Sequence, residues 1–422
     1  MGHVCLIFHV SRYHVRVRCC IYESQLPVHN RFRRSILIAV GLFSTVALTP
    51  RRAQAYAWMI GHGYAGCATC HLDPSGAGLL NEFGREEAAD TLRSHYGSDP
   101  ATVEPFFGLW KNPDWLLTGG SFRDGLFFMK AGAAPYSQQN ILMQADLRVG
   151  LDAGRWRAAA SIGVLPNGDF PAAVVTSSGG PSLVAREYWL GYTFANDAVL
   201  LRAGRINVPY GIRSIEHTLF VRQATQTDIN DTQETGVALA ARGGGFRGEL
   251  MAIAGNYQES PDAYRQRGYS GYVEWSPDSH YALGVNSLVT YAKQDVLLRT
   301  ANLRQAHGLT GRAAPVDRLV LLGEADYVGQ GLSGQPHWNG LATMLQADFE
   351  PWQGLHFIGT GETYGSGQPG TNTSWSLWGS VAWFFYSHVD IRFDYVHESL
   401  STPPPEGRIP IVTYLVQLHL FL

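Results

Sequence analysis

The chain has 422 residues, with 32 basic and 35 acidic side chains for a formal net charge of −3, and 45% of its residues are apolar. No run of eighteen apolar residues occurs, which excludes helical membrane spans, while 47 Gly, 20 Tyr, 19 Phe and 11 Trp leave membrane strands open. Length alone allows either two or three soluble domains or one large barrel preceded by something small.

The first predicted element is a secretory signal that starts late. In "RFRRSILIAVGLFSTVALTPRRAQAYAW", Arg31, Arg33 and Arg34 form the basic region, Ile36 to Leu48 the apolar region, and Ala53-Gln54-Ala55 the small-residue cleavage site. Residues 1–55 therefore read as an over-extended start followed by a Sec signal peptide cleaved near Ala55. Cys5, Cys19 and Cys20 leave with it, so the exported chain spends its two remaining cysteines on one motif. Removing residues 1–55 also takes away eight Arg and one Glu, leaving 24 basic and 34 acidic residues. A net charge of about −10 argues against nucleic-acid binding.

That motif is Cys67-Ala68-Thr69-Cys70-His71, the C-x-x-C-H spacing of c-type haem attachment. Two thiols add to the two porphyrin vinyl groups, and the adjacent imidazole reaches the iron. Cys67 and Cys70 are thus the expected attachment sites and His71 the expected proximal ligand of one covalent haem c. A zinc site would need a second ligand pair that the chain lacks, a dithiol redox centre needs a βαβ setting, and a disulfide closing so short a loop is strained. Pro74 to Gly78 reads as a turn, and Leu79, Leu80, Phe83, Ala88 and Leu92 recur at helical spacing until Gly97. The distal ligand follows from no spacing rule. His62 is the first candidate because it stands close to the attachment loop, with Met59 and His95 behind it. Residues 56–104 make a small, mostly α haem segment, too short to bury a porphyrin alone, so the haem is expected to borrow a wall from elsewhere.

From Trp115 onward the sequence falls into segments of about ten residues with period two, separated by turn residues. Ile141, Met143, Ala145, Leu147, Val149 and Leu151 share one face, opposite Gln144, Asp146 and Arg148. A turn at Asp152-Ala153-Gly154 then leads to Trp156, Ala158, Ala160 and Ile162, opposite Arg155, Arg157 and Ser161. The pattern recurs around Tyr188–Phe194, Val199–Ala203, Leu345–Glu350 and Val389–Tyr395, and Val412 to Leu422 ends the chain inside a strand. Asp and Arg on one face with bare Tyr, Trp and Leu on the other would suit a lipid-facing wall around a wet lumen, not a packed sandwich. The expected fold class is all-β: residues 105–422 form a transmembrane barrel of roughly 16 antiparallel strands, placed in the bacterial outer membrane and in contact with its lipid. The polar stretches Asn207 to Asp231, Gly329 to Pro336 and Ser366 to Ser374 are expected to be extracellular loops or loops folded into the lumen, and Arg213, Glu216, His217 and Arg222 in the first could line a constriction.

Taken together, Cys67-Ala68-Thr69-Cys70-His71, Pro74, Leu80-Asn81 and Gly84-Arg85, ahead of a barrel, resemble the fused monohaem cytochrome c-porin family of bacterial outer-membrane electron-transfer proteins, best known from iron-oxidising bacteria. The match covers about twenty positions closely. It departs by the insertion Ser75-Gly76-Ala77-Gly78 and by two glutamates after Gly84-Arg85 where an aromatic is common. The resemblance implies a haem at or within the barrel that passes electrons between an extracellular redox substrate, with Fe(II) one candidate, and periplasmic electron carriers. A second reading is a substrate-selective porin with a structural or sensory haem, in which inward Arg148, Arg155, Arg157, Arg202, Asp146, Asp348, Glu350, Asp390 and Asp394 would suit a charged-solute pore. A haem enzyme would need an open sixth position and a distal acid-base pair, and the sequence displays neither.

Overall fold

The computed structural model describes residues 3–6, 17–20, 57–94, 113–165 and 182–421, apart from positions 217, 231, 297 and 406. The expected signal peptide, its cleavage site, His95 and His217 lie outside the described residues. Residues 3–6 and 17–20 pair as a short ribbon apart from the main sheet.

The main sheet is a closed antiparallel barrel. Its strands are β1 (Leu116–Ala131), β2 (Ser137–Ala153), β3 (Trp156–Leu165), β4 (Ser182–Val184 continued by Tyr188–Phe194), β5 (Val199–Asn207), β6 (Gln233–Gly243), β7 (Phe246–Gly255) and β8 (Arg267–Trp275). The second half comprises β9 (Tyr281–Ala292), β10 (Asn302–Val316), β11 (Leu319–Leu332), β12 (Trp338–Trp352), β13 (Leu355–Gly365), β14 (Ser374–Tyr386), β15 (Val389–Ser401) and β16 (Arg408–Phe421). The expected number of strands is met once the two pieces of β4, both paired to β3, are taken as one interrupted strand. Each strand pairs with its chain neighbour. β16 then closes on β1 in a register running from Ile411 opposite Ala131 to Phe421 opposite Ser121. Closure leaves no unpaired edge, which a bilayer requires because nothing in it can satisfy open backbone groups.

Period-two alternation sorts the two faces as the sequence implies. Leu147, Leu309 and Leu345 are each 65% exposed on the outer wall, whereas their chain neighbours Asp146, Gln346 and Arg148 point inward. Along β16, Tyr414, Val416, Leu418 and Leu420 face out while Gln417, His419 and Phe421 face in. Arg155 departs from the expectation. It sits in the turn between β2 and β3, where Ala153 pairs with Trp156, and it is exposed instead of inward-facing. The turn is one residue later than Asp152-Ala153-Gly154 because Asp152 still pairs with Arg157.

One rim consists of connections only two to five residues long, and the other carries the longer loops. Outer-membrane barrels place their short turns toward the periplasm. Exposed Trp156, Phe246, Trp275, Trp352 and Trp383 flank the short turns, and exposed Tyr136, Tyr257, Tyr291 and Tyr327 lie toward the opposite rim. These are the two aromatic girdles of a membrane wall.

The lumen is filled from both ends. Residues 57–94 enter the periplasmic half. From the other rim, the β5–β6 connection folds inward and carries a short helix, α1 (Phe220–Thr225). That helix is anchored by Arg222 to Glu324 and by the Phe220 amide donating to Glu362 Oε1 at 2.6 Å, so the connection lies in the lumen. The Ser366 to Ser374 stretch connects β13 and β14 at the long-loop rim. β11 continues through Leu332, which shortens the loop expected at Gly329 to Pro336.

Candidate functional site

The attachment motif folds as a compact loop. Cys67–Thr69 form a 3-10 turn, the Cys70 and His71 amides donate to the Cys67 carbonyl at 3.2 and 3.0 Å, and His71 bridges to Leu80. Between these partners lies the predicted turn. Asp73 Oδ1 accepts from both the amide and hydroxyl of Ser75 at 2.9 Å, and the chain then passes Gly76 and Gly78 at positive φ. Glycine is required at Gly76 twice over: its φ is +92°, and a Cβ there would stand 3.0 Å from Cys67 Sγ. Residues Ser75 to Gly78 thus fold the chain back over the first cysteine.

Asn81 joins this loop to the helix that follows. Its Nδ2 donates to the Thr69 carbonyl at 2.6 Å, its amide donates to the Cys70 carbonyl at 2.8 Å, and its Oδ1 accepts the Gly84 amide at 2.9 Å as an N-cap. The helix runs over residues 82–92 with a π turn at Gly84–Ala88, before residue 97 where the periodicity placed its end. Gly84 packs directly on the Cys70 backbone and leaves no room for a Cβ. Leu79 and Leu80 precede the helix. Leu79 packs into the barrel against Gly150, and Leu80 pairs with His71.

Contacts with the wall run round the whole circumference. Arg148 on β2 donates to the Gly78 carbonyl at 3.1 Å, Arg202 on β5 pairs with Asp73 at 2.8 Å, and Tyr272 on β8 donates to the Pro74 carbonyl at 3.3 Å. Arg312 on β10 donates to the Ala65 carbonyl, Glu350 on β12 meets His62 Nε2 at 2.9 Å, and the Ser94 amide donates to the Phe384 carbonyl on β14 at 2.8 Å. Arg202 is shared: it also reaches Glu249 at 2.7 Å, and all three side chains are buried. Burial alone would raise the Asp73 carboxyl, but Arg202 outweighs it and holds Asp73 below the usual carboxylate range. From the other side, Arg213 of the luminal connection donates to Ser75 Oγ at 2.9 Å, and Glu216 pairs with Arg392. Of the four residues that suggested a constriction, Arg213, Glu216 and Arg222 therefore all act as luminal anchors.

Where segment and connection meet they leave a cavity that opens to solvent on one side. His71, Met59, Ala88 and Leu92 line it from the segment, Ile215 and Asn230 from the connection, and Ser121, Arg123, Gln144 and His419 from the wall. Burial pushes the His71 imidazole down to about 4, so it stands neutral. Its Nδ1 is buried without a hydrogen-bond partner, and the Gly78 and Leu79 backbone favours a proton on the ring. Cys67 and Cys70 are buried thiols one layer behind this wall. Cys70 packs with Met59, Ala88 and Leu92, and Cys67 lies against Gly76. Met59 is fully buried and lines the cavity, whereas His62 points away toward Glu350. Among the described residues no group of three or more His, Cys, Asp or Glu side chains is arranged to hold a bare metal ion.

No protein-family model and no curated protein matches the chain. Solved structures do. OmpT of Vibrio cholerae, in its in-vitro folded trimer form, is 10% identical with a TM-score of 0.54, over 73% of this chain and 99% of that one. The outer membrane channel DcaP of Acinetobacter baumannii is 12% identical at 0.54, over 74% and 99%. An anion-selective porin from Comamonas acidovorans is 12% identical at 0.55, over 73% and 99%. At such identities the likeness concerns the fold, and it leaves about a quarter of this chain without a counterpart. The protein is a porin-like outer-membrane barrel of sixteen antiparallel strands, with residues 57–94 docked in its lumen.

Proposed function

We propose that the chain is a monohaem cytochrome c-porin fusion, in which Cys67 and Cys70 attach haem, His71 binds its iron, and electrons pass between an extracellular donor or acceptor and periplasmic carriers. The observation that carries this reading is the position of a C-x-x-C-H loop inside a membrane barrel, with half-buried His71 on the wall of a cavity in the lumen. The residues fit the group: two thiols, an imidazole with an orphaned buried Nδ1, and apolar Met59, Ala88 and Leu92 beside the second cysteine.

Bound haem would supply one-electron exchange. The protein's own residues hold the site in the periplasmic half of the lumen, exclude bulk water on the Met59 side, and clamp the attachment loop through Asp73, Gly78 and Ser75 to three arginines. A site inside the lumen leaves less than the full apolar band of roughly 25 Å to cross. A haem left outside one rim would have the whole band to cross. Met59 lines the cavity and His62 does not, so Met59 in place of His62 would be the second residue to hold the iron.

The porin alternative requires an open path. Segment contacts to β2, β5, β8, β10, β12 and β14 weigh against one. Purified protein in liposomes with a trapped redox dye distinguishes the two. Haem-dependent electron flow to an external oxidant, with negligible solute swelling, is expected. Swelling without electron flow would reject the conduit.

A further inference from the structure

The cavity wall beside His71 carries an excess of positive charge. Four arginines line it, Arg123, Arg148, Arg186 and Arg213, against a single carboxylate, Glu187. Two of them are matched: Arg186 pairs with Asp146 at 2.9 Å, and Arg148 approaches Asp146 at 3.5 Å and Glu187 at 4.0 Å. The other two are not. Arg123 is only 5% exposed and donates to one backbone carbonyl, that of Ile215, at 3.1 Å. Arg213 donates to Ser75 Oγ and to the Val208 carbonyl, and its Nε is buried without a partner. The nearby Asp73 is already engaged by Arg202. Neither Arg123 nor Arg213 has a carboxylate within ion-pair distance among the described residues. The Arg123–Ile215 bond brings them to one side of the cavity, because Ile215 lies two residues beyond Arg213.

Buried guanidinium groups without counter-charge are costly, and such groups are retained where a ligand supplies the charge. Guanidinium also presents the donor fork that carboxylates fit. A porphyrin carried by Cys67 and Cys70 brings two propionate carboxylates, which equals the number of unmatched arginines. We infer that Arg123 and Arg213 bind the two propionates of the haem, so that the barrel wall and the luminal connection each clamp one edge of a group attached to the segment. This rests on the haem reading above and deepens it: the inward-folded connection becomes part of the cofactor site as well as a luminal anchor. A small free dianion entering the lumen offers the same carboxylate chemistry.

The test uses the full-length, haem-loaded protein in detergent, with R123Q, R213Q, the double variant, and R123K and R213K. The readouts are the haem midpoint potential and the propionate vibrations in the resonance Raman spectrum. Loss of the positive partners should stabilise the ferric state. The Gln variants should therefore show a lower potential and altered propionate modes, additive in the double variant and largely restored by Lys, and succinate added to the unmodified protein should change neither readout. Loss of haem from the Gln variants alone, with retention in the Lys variants, would support the proposal equally. Unchanged potential and propionate modes in a haem-loaded double variant would overturn it, as would equal damage from Lys and Gln. Succinate shifting the unmodified protein would also overturn it and assign the arginines to a free anion. Absence of covalent haem from the unmodified protein is a different result, which removes the cytochrome reading itself.

Discussion

The barrel wall and the segment within it are held by opposite means. The wall is repetitive: every strand pairs with its neighbour, every second residue faces lipid, and each pairing would survive exchange of one apolar side chain for another. Residues 57–94 also bury Ile60, Leu72, Leu79 and Leu92 against the wall, but they are held in place by individual polar bonds to arginines, a glutamate and a tyrosine on strands far apart in sequence. A wall built on pattern tolerates change that a docked segment built on particular partners does not.

The sharpest way to separate the two regions is to remove the cysteines. C67S/C70S should abolish covalent haem completely, seen as loss of haem staining on a denaturing gel, while the barrel still migrates anomalously until boiled. A barrel that fails to form would mean that wall and segment are not independent. R202A should come next, because it leaves Asp73 and Glu249 buried without their shared cation. Breaking such a buried pair costs about 3–5 kcal/mol, so the variant should lose segment docking at lower urea while the strands persist. On the wall, Leu345→Arg places a charge on the lipid face at the middle of β12. That should cost about 2–4 kcal/mol of barrel stability in a bilayer, read by refolding titration, without moving the haem spectrum. G84A should push the helix off the Cys70 backbone, at about 1–3 kcal/mol of overpacking confined to the segment, and perturb the haem spectrum. Smallest of all should be H62A, which loses a partly exposed contact to Glu350 worth less than about 1 kcal/mol and should leave the iron spin state unchanged. M59A should alter it.

This contrast also explains what could be read from the sequence. The strands were legible because alternation is local: Ile141 to Leu151 and Val412 to Phe421 declare their two faces without reference to anything distant. Arg155 misled because it continues the alternation by one residue into a turn that only the pairing of Asp152 with Arg157 defines. The C-x-x-C-H loop and the turn at Gly76 were legible for the same local reason. The partners of the segment were not. Nothing near Asp73 indicates Arg202, nothing near His62 indicates Glu350, and closeness to the motif along the chain made His62 a better candidate than Met59, although Met59 lines the cavity. The arginine pair at Arg123 and Arg213 was invisible in part: Arg213 stood out in a polar loop, but Arg123 joins it only through the Ile215 carbonyl.

The central claim is that the haem sits within the lumen, and a distance measurement reaches it most directly. Spin labels at exposed Asp278 on the short-turn rim and exposed Ser333 on the opposite rim mark the two ends of the barrel, and the dipolar coupling of each to the ferric iron gives its depth. The account predicts an iron inside the apolar band, nearer the Asp278 label than the Ser333 label. An iron close to the Asp278 label and farther from Ser333 than the full band height of about 25 Å would place the haem in the periplasm and contradict it.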